Sequence, residues 1–254
     1  MAADSAVDIA LVFPELLGTY GDGGNALVLA RRLSRRGIAA RIIEVGINDA
    51  VPRQAAIYLL GGGEDSPQFT ALDALKASGA LHDAVESGAV VLAVCAGFQL
   101  IGTSLPHTDG TSVPGLGLVD AVTTRAPRRL VGEVAVRDDA LGTGWLVGFE
   151  NHRGVTELGR GEVALGPREP AHDSATDGVV HGRVVGTYLH GPVLARNPRF
   201  TDRLLEWVTG PLPPLADPQA DLLHAERLAA VGGARGWSRR GWRPPARTHP
   251  RPRP

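Results

Sequence analysis

The single cysteine of this 254-residue chain, Cys95, stands where an apolar run over residues 90–94 gives way to Cys95-Ala96-Gly97-Phe98-Gln99. A buried strand running into a sharp turn and then a helix is the nucleophile-elbow pattern, which exposes a thiol at the carboxyl end of a parallel strand and aims it at a helix start. The thiolate is the reactive form, and unpaired N–H groups at a helix start are expected to lower the thiol pKa. Ala93, Ala96 and Gly97 are small enough to let backbone approach a substrate. A second run, Leu59-Leu60, ends in Gly61-Gly62-Gly63-Glu64. Three consecutive glycines permit a backbone that turns its N–H groups inward, which is what stabilises a developing oxyanion.

A cysteine nucleophile needs a base close in space. His190 ends the run Val184-Val185-Gly186-Thr187-Tyr188-Leu189 and is followed at once by Gly191-Pro192, which sets its side chain at a strand terminus beside a tight turn. His152, in Phe149-Glu150-Asn151-His152-Arg153-Gly154, is the second candidate. The remaining histidines fall in helical patterns, polar loops or the C-terminal tail and are expected to be solvated.

The elements that must position these residues follow from hydrophobic patterning. In the first half, short aliphatic runs at 8–13, 40–45, 56–60 and 90–94 alternate with helical patterns at 25–36 and 68–87. That alternation is the signature of βαβ units and a mostly parallel sheet flanked by helices, with Asn25 placed to cap the first helix. From about Gly115 the runs shorten, at 117–123, 132–136, 145–149, 163–165, 179–181 and 183–186, and they are expected as antiparallel hairpins and edge strands added to the sheet, with His181-Gly182 as a turn. A helix is expected over 199–208, a linker over 211–218 and a further short helix over 221–230. The division is therefore one principal α/β domain over residues 1–210, a linker and short helix over 211–231, and a tail over 232–254. That tail holds seven arginines and no acidic residue, a composition that buries no core. Contact with anionic headgroups or a partner surface is the functional reading of those arginines, and a solvated overhang the plain one.

A formal net charge of -1 gives no reason to expect nucleic acid or a membrane surface as partner. A lone cysteine suits a reducing compartment, and neither a leader pattern nor a run of membrane-spanning length is present, so a cytoplasmic protein is expected. No metal site is expected.

Taken together, Gly61-Gly62-Gly63, Cys95-Ala96-Gly97-Phe98-Gln99 and Gly186-Thr187-Tyr188-Leu189-His190-Gly191-Pro192 resemble the class I glutamine amidotransferases of the CobB/CobQ type. Gly148-Phe149-Glu150-Asn151-His152 together with Tyr188-Leu189-His190-Gly191-Pro192 is similar in particular to the GatD family, glutaminase subunits of lipid II isoglutaminyl synthases. The resemblance covers residues 8–208 and implies the flavodoxin-like class I amidotransferase fold. It also implies Cys95 as nucleophile, His190 as general acid and base, Gly61, Gly62, Gly63 and Ala96 as the oxyanion site, and Gln99 and Arg129 as substrate-binding residues for L-glutamine. A guanidinium suits a carboxylate, although the adjacent Arg128 leaves the choice between the two arginines open.

Many class I amidotransferases carry a glutamate two residues after the catalytic histidine, and here that position is Pro192. Another carboxylate of this chain or one from a partner must then orient His190, or the site runs as a dyad; in the GatD family a partner aspartate is thought to complete it. The chain has no G-x-x-x-x-G-K-[ST] motif, and its glycine-rich stretch over 18–25 lacks the lysine of a phosphate loop. ATP and Mg are accordingly expected on a partner, which in the GatD family is the Mur-ligase-like MurT, acting on the D-glutamate of lipid II. Any membrane contact would then come only through lipid II. The alternatives are the cobyrinate or cobyric acid amidating branch, whose ATP-binding domain precedes the glutaminase and finds no room before the strand at Asp8, and a catalytically silent scaffold.

Overall fold

The computed structural model describes residues 6–170 and 174–232; the expected tail lies outside them but for Gly232. The first half reads as β1 (Val7–Val12), α1 (Gly24–Ser34), β2 (Ala40–Val45), β3 (Ile57–Leu60), α2 (Asp65–Ser78), α3 (Ala80–Glu86), β4 (Val90–Val94) and α4 (Ala96–Ile101). Every residue of β3 and β4 is buried, which explains their continuous apolar sequence: a parallel strand covered by helices on both faces has no polar side to alternate with. The second half contains β5 (Ser104–Pro106), β6 (Ser112–Pro114), β7 (Ala121–Asp138), β8 (Gly144–Leu158), β9 (Gly166–Glu169), β10 (Thr176–Asp177), β11 (Val179–His181), β12 (Val184–Thr187), α5 (Val193–Arg196), α6 (Pro198–Thr209) and α7 (Pro218–Gly232).

The central sheet has the order β11-β12-β4-β3-β1-β2. All neighbours in it pair in parallel except β11, which forms an antiparallel hairpin with β12 around Gly182 at φ 58. The chain leaves β1 toward β2 and returns to β3 on the other side, so the carboxyl ends of β1 and β3 flank a switch point where open α/β sheets place their ligands.

The later strands are not simply added to this sheet. Only β11 and β12 join it, while β5 to β10 build a second sheet in the order β10-β9-β7-β5-β6, with β8 paired to β7. The runs expected separately at 117–123, 132–136 and 145–149 are parts of one long hairpin, β7 and β8, whose register shifts between Arg125 and Leu130. Pro127 and Gly132 look like strand breaks in sequence, but Pro127 sits within the irregular stretch, where no ladder N–H is needed. The run expected at 163–165 makes only an isolated bridge, Val163 to Val180. Leu146, Val136 and Leu165 from this half share one apolar core with Leu92, Leu189 and Leu204.

Asn25 does not cap α1. Gly23 holds the cap position without a side-chain bond, and buried Asn25 instead accepts the Leu194 N–H through Oδ1 at 3.0 Å, tying α1 to the segment after His190. On the far side of α1, the Arg32 guanidinium grips Asp202 of α6 at 2.7 and 2.6 Å and Arg35 reaches Asp217 at 2.8 Å, which anchors the linker ahead of α7. Among the described residues no helix is long and apolar enough to cross a membrane.

Candidate active site

Cys95 follows β4 with φ 53 and ψ -103, a conformation that L residues rarely adopt. Its N–H donates to the Thr187 carbonyl at 2.8 Å, and its own carbonyl accepts the Gln99 N–H at 3.0 Å, closing the first turn of α4. The elbow needs small neighbours. A Cβ on Gly97 would lie 2.6 Å from the Leu60 carbonyl oxygen, and one on Gly186 would lie 2.2 Å from the Phe98 ring. These contacts press α4 against β3 and β12 and leave the thiol at the carboxyl edge of the sheet.

The expected low thiol pKa is not what the site produces. Burial pushes the Cys95 thiol up to about 12, and the Asp22 carboxylate raises it further; the Ala96 N–H and the Arg129 guanidinium pull it down without prevailing, and Glu64 adds to the rise. One helix turn of N–H groups is a partial charge, and it loses here to the cost of desolvating an anion. The resting thiol is thus protonated at neutral pH, and any nucleophilic use of it would need a base.

His190 is 1% exposed. Reciprocal backbone bonds with Phe149, at 3.0 and 2.9 Å, fix its main chain to β8. Its Nδ1 lies 2.9 Å from Oδ2 of Asp22, which itself is 2% exposed. A carboxylate oxygen accepts, so this contact suits a proton on Nδ1, and a neutral ring of that tautomer would have Nε2 as its acceptor. That buried Nε2 has no hydrogen-bond partner among the described residues. Asp22 is the residue that sequence reasoning missed. It lies in the glycine-rich turn after β1, and its role depends on β12, β4, β3 and β1 being neighbours, which spacing along the chain does not reveal.

His152 lines the cleft beside Cys95 but is not a free base. Its Nδ1 faces the Gly154 carbonyl at 2.9 Å, its Nε2 faces Glu150 Oε2 at 3.3 Å, and its ring stacks on Tyr188 with centroids 3.9 Å apart. Behind it Arg168 pairs with Glu150, and Asp177 accepts from the Thr187 hydroxyl at 2.5 Å. Burial tends to raise the Glu150 carboxyl, but the hydrogen bond from His152 and the Arg168 charge hold it below the ordinary range. Burial pushes Asp177 up.

Cys95, Ala96, Gly63, Gln99, Arg129 and Asn151 line one open cleft. Of the two neighbouring arginines, Arg129 points into it, held by Asn151 Oδ1 and by Tyr20, whose hydroxyl accepts from Nη2 at 2.9 Å. The glycine triplet is divided in its contacts. The Gly61 carbonyl accepts the Gly97 N–H at 3.1 Å, the Gly62 N–H donates to Asp22 at 2.9 Å, and Gly63 faces the cleft. Ala96 and Gly63 are the backbone positions beside the thiol, whereas the Gly62 N–H is already engaged.

A CobB/CobQ-like glutamine amidotransferase domain matches residues 8–198. The chain is 36% identical over 195 residues to the lipid II isoglutaminyl synthase (glutamine-hydrolyzing) subunit GatD of Staphylococcus aureus, covering 75% of this chain and 79% of that protein. The corresponding GatD subunit of Streptococcus pneumoniae is 31% identical over 206 residues, covering 78% and 79%. A crystal structure of a glutamine amidotransferase superimposes with a TM-score of 0.55 at 21% identity, covering 80% of this chain and all of the other; at that identity the likeness speaks for the fold.

Proposed function

Because the chain belongs to the CobB/CobQ-like glutamine amidotransferase family, we propose that it is the glutaminase subunit of a lipid II isoglutaminyl synthase, with Cys95 as nucleophile and His190 as acid and base. One observation carries the chemical part. The strained Cys95 and a buried histidine whose Nε2 has no hydrogen-bond partner among the described residues stand at the carboxyl ends of the adjacent strands β4 and β12. In the first step the thiol gives its proton to His190 and its sulfur adds to the carboxamide carbon of L-glutamine. The Ala96 and Gly63 N–H groups receive the developing oxyanion. Arg129 takes the substrate carboxylate, for which a guanidinium is suited. His190 then protonates the departing amine, leaving a γ-glutamyl thioester. Water activated by the same imidazole releases glutamate.

Ammonia released in this way needs an acceptor activated by ATP, and the chain carries no phosphate-loop motif. The partner is a MurT-like Mur ligase that holds ATP and Mg and converts the α-carboxylate of the lipid II D-glutamate to D-isoglutamine. Similarity to two GatD subunits supports this reading. The test is transfer of label: the chain, a MurT-like ligase, ATP, Mg²⁺, lipid II and glutamine carrying ¹⁵N in its side-chain amide. Mass spectrometry should find the label in the stem-peptide amide with the native chain and none with Cys95→Ser. In a parallel mixture with a corrinoid carboxylate and its amidating synthetase in place of lipid II and the ligase, label reaching the corrinoid while none reaches lipid II would move the assignment to the cobyrinate branch.

A further inference from the structure

We propose that Asp22 is the carboxylate that holds His190 as a base, and that the turn bearing it also sets the glycine loop and Arg129, so that the glutamine-hydrolysing centre is completed within one chain. The proposal rests on the glutaminase reading above and answers the question left open by Pro192.

One atom does two tasks. Oδ2 of Asp22 lies 2.9 Å from His190 Nδ1 and accepts the Gly62 N–H at 2.9 Å. The turn grips Gly62 from the other side as well, since the Thr19 N–H donates to the Gly62 carbonyl at 3.1 Å. The whole triplet runs against this turn backbone to backbone: a Cβ on Gly61 would meet the Leu17 carbonyl oxygen at 2.1 Å, and one on Gly63 the Leu16 carbonyl oxygen at 2.7 Å. The three glycines are therefore explained by close approach of this turn as well as by loop flexibility. Tyr20, two residues before Asp22, lies with its ring 4.6 Å from the His190 ring, and its hydroxyl accepts from Arg129 at 2.9 Å. Base, glycine loop and substrate clamp are thus all held by residues 16–22.

The turn is built to stay in place. The Leu17 N–H donates to the Phe13 carbonyl at 2.8 Å, the Gly21 N–H to Gly18 at 3.1 Å and the Asn25 N–H to Asp22 at 2.9 Å, and Phe13 accepts a positive φ of 50 to start it. The other carboxylates at the cleft are differently placed. Glu150 is engaged by His152 and Arg168, and Glu64 lines the mouth. The second oxygen of Asp22 is buried with no partner among the described residues. Burying a carboxylate half-satisfied is costly, and its contact with His190 is the return on that cost.

The experiment uses the full chain, alone and with the MurT-like ligase, in native form and as Asp22→Ala, Asp22→Asn and Tyr20→Phe. The ¹⁵N shifts of the His190 ring report which nitrogen carries the proton, and glutamate release gives kcat and KM. The native ring should carry it on Nδ1. Asp22→Ala should lose that tautomer and lower kcat by about 10²- to 10⁴-fold, the usual worth of a positioned acid–base group. Asp22→Asn keeps an acceptor but no charge, so it should restore the tautomer and still fall at least about tenfold short in kcat, because the imidazolium formed on attack lacks its counter-ion. A purely structural Asp22 would be fully rescued by asparagine. Tyr20→Phe should raise KM about tenfold and leave kcat within about threefold, the pattern of a lost binding contact. The proposal is overturned if Asp22→Ala keeps the Nδ1–H tautomer, or if adding the partner restores its kcat, since the orienting carboxylate would then come from elsewhere. The tautomer is read without substrate. A chain that hydrolyses no glutamine but shifts its tautomer in Asp22→Ala overturns the glutaminase reading and supports Asp22 as the group that holds the imidazole.

Discussion

Replacing Gly62 with alanine adds one carbon at the point where the glycine loop touches the His190 imidazole. That carbon would stand 2.6 Å from His190 Cε1, with Asp22 Oδ2 and Tyr20 Cδ2 each 3.2 Å away. Carbon atoms settle at about 3.5–4.0 Å, so the ring must withdraw by about 1 Å. The main chain of His190 is fixed by its two bonds to Phe149, so the ring itself must swing. A displacement of about 1 Å in a reacting group costs on the order of 10²-fold in rate, or roughly 2.7 kcal/mol of transition-state stabilisation. Overpacking should cost about 1–3 kcal/mol of stability as well. The assay is kcat for glutamate release by Gly62→Ala beside the native chain, with a urea titration on the same preparations to show that both are folded under assay conditions. A folded variant with kcat within about threefold of native would refute the claim that the base is seated against Gly62.

Three further outcomes follow from the same structure. With its pKa near 12, the Cys95 thiol of the substrate-free protein should be alkylated by iodoacetamide at a rate still rising about tenfold per pH unit above pH 9; a plateau below pH 8 would contradict the burial argument. Breaking the buried Glu150–Arg168 pair by Glu150→Ala should cost about 3–5 kcal/mol in urea unfolding. Because the Glu150 pKa is depressed in the folded state, its contribution is present above the unfolded carboxylate pKa and lost as pH falls through the folded one, so the melting difference between native and variant should shrink below about pH 4. Asn25→Ala should cost about 1–3 kcal/mol by stranding the buried Leu194 N–H, whereas loss of an exposed helix cap would leave no such orphan.

What was legible in the sequence was the part written locally. Residues 57–60 and 90–94 are uninterrupted apolar runs because both faces of those strands are covered, and Cys95 and His190 stand at ends of such runs. The pairing of Asp22 with His190 spans 168 positions and exists only because of the strand order. Asn25 carries the same signal whether it caps α1 or reaches across to Leu194. Pro127 and Gly132 punctuate a continuous hairpin that pairing with β8 holds together. The thiol pKa is not legible in sequence for a different reason: a helix start is visible there, but the degree of burial that outweighs it is a property of the packed molecule.

Glutamate release from L-glutamine by the purified chain, alone and with a MurT-like ligase, decides whether Cys95 and His190 act on a carboxamide. Release should require Cys95, disappear in Cys95→Ser and yield ammonia in equal amount. Absence of any Cys95-dependent release, with and without the partner, would contradict the assignment of Cys95 and His190 as a glutaminase.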